Sequence, residues 1–138
     1  MTRPKRDNRC DSMVRPALRT FLWCFALVLW GMPAGAAEDV TGTYSMKGGE
    51  ARIQQLEGRI KFFISAAYRD NVGEVSGEVP LKGNTASYND NAMDCALSFK
   101  FGHDSLTISQ DGSCGMGLNV SGAGTYKRVS AAPPKFDE

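Results

Sequence analysis

Few residues in this chain of 138 could take part in catalysis. The single histidine, His103, lies between Gly102 and Asp104 in a sequence typical of a tight turn. A histidine that acts as a general base is usually partly buried and oriented by a carboxylate. We expect the turn to leave His103 exposed and Asp104 to point elsewhere. The sequence therefore predicts no catalytic residue and a protein that is not an enzyme.

Acidic side chains offer two further kinds of chemistry. Glu74 and Glu78 lie on one face of a predicted strand, so their Cα atoms are about 13 Å apart, which is wider than the spacing of the two acids in glycosidases. The loop 89–94 is rich in the oxygen ligands that calcium prefers. It lacks the glycine and the distal glutamate of an EF-hand loop, so we predict no metal site and no cofactor.

The four cysteines divide into two groups. Cys10 and Cys24 lie in an N-terminal segment that we expect to be removed, whereas Cys95 and Cys114 belong to the mature protein. An even pair in an oxidising compartment predicts a disulfide bond. Two free thiols are the alternative, and a metal site would need more ligands than two cysteines and one distant histidine.

The N-terminal segment has the composition of a secretion signal. Six of the sixteen Lys and Arg residues precede residue 20, and the apolar run FLWCFALVLW follows at 21–30. That run is too short to cross a bilayer, which needs roughly 20 apolar residues, and Ala34 and Ala36 form a typical cleavage site. We therefore predict a signal peptide over 1–36, with 1–12 as an upstream extension. The mature protein would be periplasmic or secreted, without a stable membrane anchor.

The charge of the mature chain narrows the choice of partners. Residues 37–138 contain ten Lys and Arg against thirteen Asp and Glu, a net charge near −3. Phosphate binding needs a basic face, so we expect no nucleic acid partner.

Alternating apolar and polar residues, with turn signals every 8 to 12 positions, predict a small all-β domain over residues 37–129. We expect an up-and-down antiparallel barrel of about eight strands, with a β-sandwich as the alternative. The triplet Gly-Thr-Tyr occurs at 42–44 and 124–126, in strands that a closed barrel places side by side. Residues 130–138 are predicted to form a disordered tail. The predicted strands are 40–46, 51–56, 60–67, 72–81, 85–88, 95–101 and 105–109, with 118–120 and 124–129 completing the fold.

The segment Ser121-Gly122-Ala123-Gly124-Thr125-Tyr126 resembles the Ser-Gly-x-Gly-x-Tyr segment of bacterial inhibitors of C-type lysozyme. Those inhibitors are exported, disulfide-bearing, eight-stranded barrels, in which a loop serine and a downstream lysine enter the lysozyme cleft. The resemblance implies that Ser121, Tyr126 and Lys127 contact a lysozyme-like protein. In this chain the segment lies near the C-terminal end, Lys127 follows it more closely than the family's lysine, and the family's cysteine spacing is absent. Residues 95–126 also resemble small uncharacterised exported bacterial proteins, which implies no activity.

Three functions fit these features. The first is an exported binding module that inhibits a lysozyme-type enzyme through its Gly-rich C-terminal loop, since an acidic barrel is attracted to a basic lysozyme. The second is a barrel that holds one small ligand, although the large apolar side chains of the central strands are expected to fill the interior. The third is a structural envelope protein.

Overall fold

A computed structural model describes residues 38–137, and the predicted signal peptide lies outside this part of the chain. The described residues form eight strands and one short 3-10 helix, Asn91–Met93, and contain no helix long and apolar enough to cross a membrane. The strands are β1 (Gly42–Met46), β2 (Gly49–Leu56), β3 (Arg59–Tyr68), β4 (Asn71–Lys82), β5 (Thr85–Asp90), β6 (Cys95–Gly102), β7 (Ser105–Gly112) and β8 (Gly124–Ser130).

Each strand pairs in antiparallel fashion with the next, and β8 pairs with β1, so the sheet closes into a barrel. The predicted eight-stranded barrel is confirmed, and the sandwich alternative is wrong. The strands that carry the two Gly-Thr-Tyr triplets are neighbours, with Tyr44 opposite Arg128. Closure gives every strand a neighbour on both sides, although the pairing between β4 and β5 is short.

The alternation of apolar and polar residues along each strand separates the inner face of the barrel from its outer face. Along β3, Ile60, Phe62 and Ile64 are fully buried, whereas Lys61 and Phe63 are only partly buried. Phe62 packs against Phe99 of β6 with 4.9 Å between ring centroids, which joins opposite sides of the core. The largest fully buried side chains are Tyr44, Tyr126, Phe62, Phe99, Ile53, Ile60, Ile64, Leu97, Leu106 and Ile108.

Two details differ from the sequence-based expectations. The predicted strands 95–101 and 105–109 leave a three-residue turn, whereas the β6–β7 hairpin has a two-residue turn, His103-Asp104, so Cys95 lies opposite Gly112. Residues 118–120 belong to the loop between β7 and β8 and form no strand. The repeated glycines of this loop let the chain turn back on itself without pairing.

The pairing between β4 and β5 is the shortest in the barrel. It comprises only Leu81 with Ala86 and Lys82 with Thr85. Pro80, the residue before Leu81, has no N–H to donate to β5, so the ladder ends there.

The residues after β8 lie against the outer face of the barrel. The guanidinium of Arg52 donates to the backbone carbonyl of Lys135 at 3.3 Å. The ammonium of Lys61 lies 4.7 Å from the ring centroid of Phe136. The predicted disorder of residues 130–138 stays a prediction, which backbone relaxation measurements would test.

Candidate functional site

The loop of residues 113–123, called here the β7–β8 loop, is the longest connection between strands and is fixed by a disulfide bond. Cys114 is completely buried and is bonded to Cys95, 19 positions earlier, with 4.3 Å between the Cα atoms. The predicted disulfide is confirmed. A disulfide of this kind fits an exported protein, because the cytosol keeps most thiols reduced.

Gln110, near the end of β7, holds both ends of the loop. Its amide oxygen accepts a 2.7 Å hydrogen bond from the backbone N–H of Gly122. Its amide nitrogen donates to the carbonyl of Gly112 at 3.0 Å. A single side chain therefore closes the base of the loop, and sequence reasoning missed it because nothing in the local pattern marks this glutamine.

Tyr126 anchors the loop from inside the barrel. Its side chain is fully buried, and its hydroxyl donates to the carbonyl of Gly122 at 2.8 Å. Burial raises the pKa of Tyr126 to about 12. The expectation that Tyr126 contacts a partner needs correction, because a side chain with no exposed surface can act on a partner only by positioning the loop.

Ser121 and Lys127 are both exposed but are not neighbours. The Ser121 hydroxyl lies 3.4 Å from the amide oxygen of Gln110 and accepts from the N–H of Ala123 at 3.1 Å, so local contacts orient it. Lys127 points outward from β8, opposite Ser105 and Ser45, about 13 Å along the strand from the end of the loop. The structure therefore does not bring Ser121 and Lys127 together within one small site.

The middle of the loop rests on the start of β4. Met116 is buried beside Gly73, where an added Cβ would lie 2.6 Å from the Met116 Cβ. The side-chain amide of Asn71 donates to the carbonyl of Leu118 at 3.1 Å. The Leu118 side chain itself is 76% exposed, so the loop holds an apolar side chain out in solvent.

The groups considered for catalysis lie elsewhere. His103 is exposed, as expected, but its Nε2 lies 3.4 Å from a carboxylate oxygen of Asp104 and its Nδ1 lies 3.2 Å from Glu38. The expectation that Asp104 points away is wrong, because the two-residue turn brings adjacent side chains to one side. Glu78 forms an ion pair with Arg59 at 2.8 Å. Among residues 38–137 no three His, Cys, Asp or Glu side chains converge on a position for a metal ion.

Asp90, in the oxygen-rich loop, has a structural role. Its carboxylate accepts from the backbone N–H of Ala92 at 2.9 Å and of Met93 at 3.3 Å, and so caps the 3-10 helix. The same carboxylate lies 3.4 Å from the Tyr88 hydroxyl. Its oxygens are therefore already engaged with the protein.

A pocket of about 400 Å³ lies at the opposite end of the barrel from the β7–β8 loop. Val40, Tyr44 and Phe101 supply its apolar lining, and Arg128 and His103 lie at its margin. Arg128 stacks 5.7 Å from the Tyr44 ring and donates to the carbonyls of Asp39 and Thr41. One nitrogen of this guanidinium, Nη2, thus joins the N-terminal segment to β8, whereas the buried Nε has no hydrogen-bond partner among the described residues.

Comparison of the chain with protein-family models, with curated proteins and with solved structures gave no match.

Proposed function

We propose that this protein is an exported, non-catalytic binding module that recognises another protein with the β7–β8 loop. One observation carries the proposal: the loop is locked from within yet exposes an apolar side chain. The disulfide, Gln110 and Tyr126 fix its backbone, and Leu118 stands 76% exposed at its tip. A loop that is already ordered loses little conformational entropy on binding, and an exposed apolar tip gains by burial.

A C-type lysozyme is the partner that we propose to test first. The segment that resembles the lysozyme inhibitors forms the second half of this loop, and its serine, Ser121, is exposed and oriented. The net charge near −3 of residues 37–138 favours a basic partner. We place the protein in the periplasm or outside the cell, where such enzymes act on the cell wall.

The test measures cell-wall hydrolysis by a C-type lysozyme in the presence of protein produced from the full chain. We expect inhibition at a small molar excess, and we expect Leu118→Ser to weaken it at least tenfold. Val129→Ser is the matched control, because Val129 is also an exposed aliphatic residue, at 63%, but lies on β8 near the other end of the barrel. Unchanged hydrolysis at a hundredfold excess of the protein would contradict the lysozyme proposal.

A small ligand is the second candidate, and the pocket of about 400 Å³ favours it. The core below is filled by Tyr44 and Phe101, so a ligand would sit at the mouth of the barrel and not inside it. Native mass spectrometry of the protein from the cell envelope would show a ligand as added mass. Phe101→Ala would enlarge the pocket and change that signal, whereas Leu118→Ser would leave it unchanged.

A further inference from the structure

One long edge of the barrel remains without a strand partner. The N–H of Leu81 donates to the carbonyl of Gly58, and β3 and β4 pair without a bulge from Tyr68–Asn71 to Arg59–Pro80. Alternate residues of a strand direct their backbone groups to opposite sides. The odd-numbered residues of β4 therefore bond to β3, and the N–H and C=O groups of residues 72, 74, 76 and 78 point the other way.

No strand within residues 38–137 receives those backbone groups. The ladder with β5 comprises only Leu81 with Ala86 and Lys82 with Thr85, so it does not reach residues 72–78. The only additional contact of this backbone among the described hydrogen bonds is between the Arg59 guanidinium and the carbonyl of Glu78, at 3.5 Å. Unpaired strand edges of this kind readily accept another extended chain.

The groove between β4 and β5 has a closed, partly aromatic floor. Tyr88 points inward from β5, and its ring lies close to Gly77. A Cβ added to Gly77 would be only 2.9 Å from a carbon of that ring. The Tyr88 ring also packs on Phe62 with 5.2 Å between centroids. The missing ladder therefore leaves a surface groove and not a hole into the core, and the absence of a side chain at Gly77 makes room for this floor.

The sides of the groove have a definite chemical character. The outward side chains that border it are Glu74, Ser76 and Glu78 on β4, and Ser87 and Asn89 on β5. The Glu78 carboxylate is paired with the guanidinium of Arg59 at 2.8 Å, so part of this negative charge is already balanced. At its other end Val72 is 63% exposed, and its carbonyl lies next to Gly117 of the β7–β8 loop. The groove thus begins at the proposed binding loop and continues along an acidic edge.

We propose that the open edge of β4, residues 72–78, binds an extended peptide segment of a partner by strand addition. The segment carries basic side chains on its outer face, opposite Glu74 and Glu78, and small apolar side chains toward Tyr88. Backbone hydrogen bonds to the N–H and C=O groups of residues 74 and 76, and to the N–H of Glu78, hold it in place. This inference rests on the proposed function only at the apolar end of the groove, where Val72 lies next to the β7–β8 loop that carries Leu118.

A second copy of the chain is the less favourable occupant. Antiparallel pairing of two β4 edges centred on Ser76 would place Glu74 of one copy opposite Glu78 of the other. Like charges directly opposite one another destabilise a pair of strands. Charge complementarity therefore favours a basic segment of a different protein.

The test uses a blocked seven-residue peptide of alternating Lys and Val, with amide hydrogen exchange read residue by residue. In the free protein we expect fast exchange at Glu74, Ser76 and Glu78, and slow exchange at Val75, Gly77 and Val79, which bond to β3. The peptide should slow the three fast amides at least tenfold and leave the others unchanged. The same peptide with Glu in place of Lys should bind at least tenfold more weakly.

Two variants separate backbone pairing from charge attraction alone. Ser76→Pro removes one donor that faces the groove and breaks no bond to β3, so we expect about a tenfold loss of peptide affinity. Ser76→Ala keeps that donor and should bind as the unaltered protein does. Equal binding by both variants would contradict strand addition, because a peptide held by charge alone does not need the Ser76 N–H.

The remaining outcomes are also decisive. Slow exchange at Glu74, Ser76 and Glu78 in the free monomer would overturn the inference, because the edge would already be paired. Slow exchange that appears only when the protein dimerises would assign the edge to a second copy and likewise overturn it. If Leu118→Ser abolishes lysozyme inhibition while Ser76→Pro does not alter peptide binding, the proposed function stands and this inference fails. If Ser76→Pro weakens peptide binding while Leu118→Ser does not alter lysozyme inhibition, strand addition to β4 is supported and the proposed function of the loop is contradicted.

Discussion

At the scale of single residues, the β7–β8 loop is held by two polar side chains that belong to the strands on either side of it. Gln110 binds the backbone at both ends of the loop, and Tyr126 binds the Gly122 carbonyl from within the core. Buried polar backbone groups need partners, since an unpaired one costs about as much as a lost hydrogen bond. These two residues thus convert a glycine-rich segment into a fixed surface.

Replacing Tyr126 by Phe removes the hydroxyl that holds Gly122. We expect a loss of roughly 1 kcal/mol in the free energy of unfolding at neutral pH, because the buried carbonyl loses its donor. The folded protein holds the Tyr126 proton more tightly than the unfolded chain does, with a pKa of about 12 against an ordinary value of 10.0. The contribution of Tyr126 to stability is therefore fully present below pH about 10 and is lost as the pH rises toward 12.

Denaturant unfolding measured between neutral and strongly alkaline pH checks this prediction. The fall should be shallower in Tyr126→Phe, while Tyr44, whose pKa is also raised by burial, keeps part of the dependence. An identical alkaline fall in the variant and the unaltered protein would show that the Tyr126 hydroxyl is not buried.

Replacing Gln110 by Ala opens the base of the loop. The N–H of Gly122 and the carbonyl of Gly112 lose their side-chain partner, so we expect a loss of about 1–2 kcal/mol in unfolding free energy. Amide exchange in the loop should also rise, most of all at Gly122. Ser109→Ala is the control, because Ser109 is the preceding, exposed residue of the same strand. Equal effects of the two substitutions would argue against the clamp.

At the scale of elements, the β6–β7 hairpin and the loop that follows form one unit. The tight turn places Cys95 opposite Gly112, and the chain needs only two more residues to bring Cys114 back to it. The disulfide therefore fixes the start of the loop to the open end of the hairpin, while Gln110 fixes both ends. The short β4–β5 ladder is the other element-level feature, and one proline accounts for where it stops.

The double substitution Cys95→Ala, Cys114→Ala removes the disulfide. We expect it to lower the free energy of unfolding by about 3 kcal/mol, because a bridge that closes a loop of this length reduces the conformational entropy of the unfolded chain. A reductant should have the same effect on the unaltered protein and none on the double variant. Denaturant unfolding with and without reductant measures both effects. A reductant response that persists in the double variant would mean that other cysteines form the bond.

At the scale of the whole molecule, one continuous core supports both ends of the barrel. Neighbouring residues of β3 show the division between inside and outside: Phe62 is fully buried, and Phe63 lies on the outer face near Arg52. The proposed binding surfaces lie outside this core: the β7–β8 loop, the open side of β4, and the pocket at the opposite end of the barrel from the loop. Residues 37–138, taken alone, carry a net charge near −3, which would favour a basic partner for the proposed loop.

Comparing Phe62→Ala with Phe63→Ala tests this division with two adjacent residues of equal size. We expect Phe62→Ala to cost about 3–5 kcal/mol, through lost burial and the cavity left behind. Phe63→Ala should cost clearly less, because its ring is partly exposed. A domain of this size has only about 5–15 kcal/mol of stability, so Phe62→Ala should melt at a much lower temperature. Similar melting temperatures would contradict the register of β3.

The sequence by itself determined the strand pattern and the disulfide, because a period of two, frequent turn residues and an even cysteine pair can be read from it directly. It left a closed barrel and a β-sandwich both open, and the pairing of β8 with β1 decided for the barrel. Only the tertiary structure decided that Tyr126 faces the core, that Gln110 clamps the loop and that β4 has an open edge. Those features depend on which distant backbone groups meet, and a shift of two residues in the β6–β7 register would place different groups together.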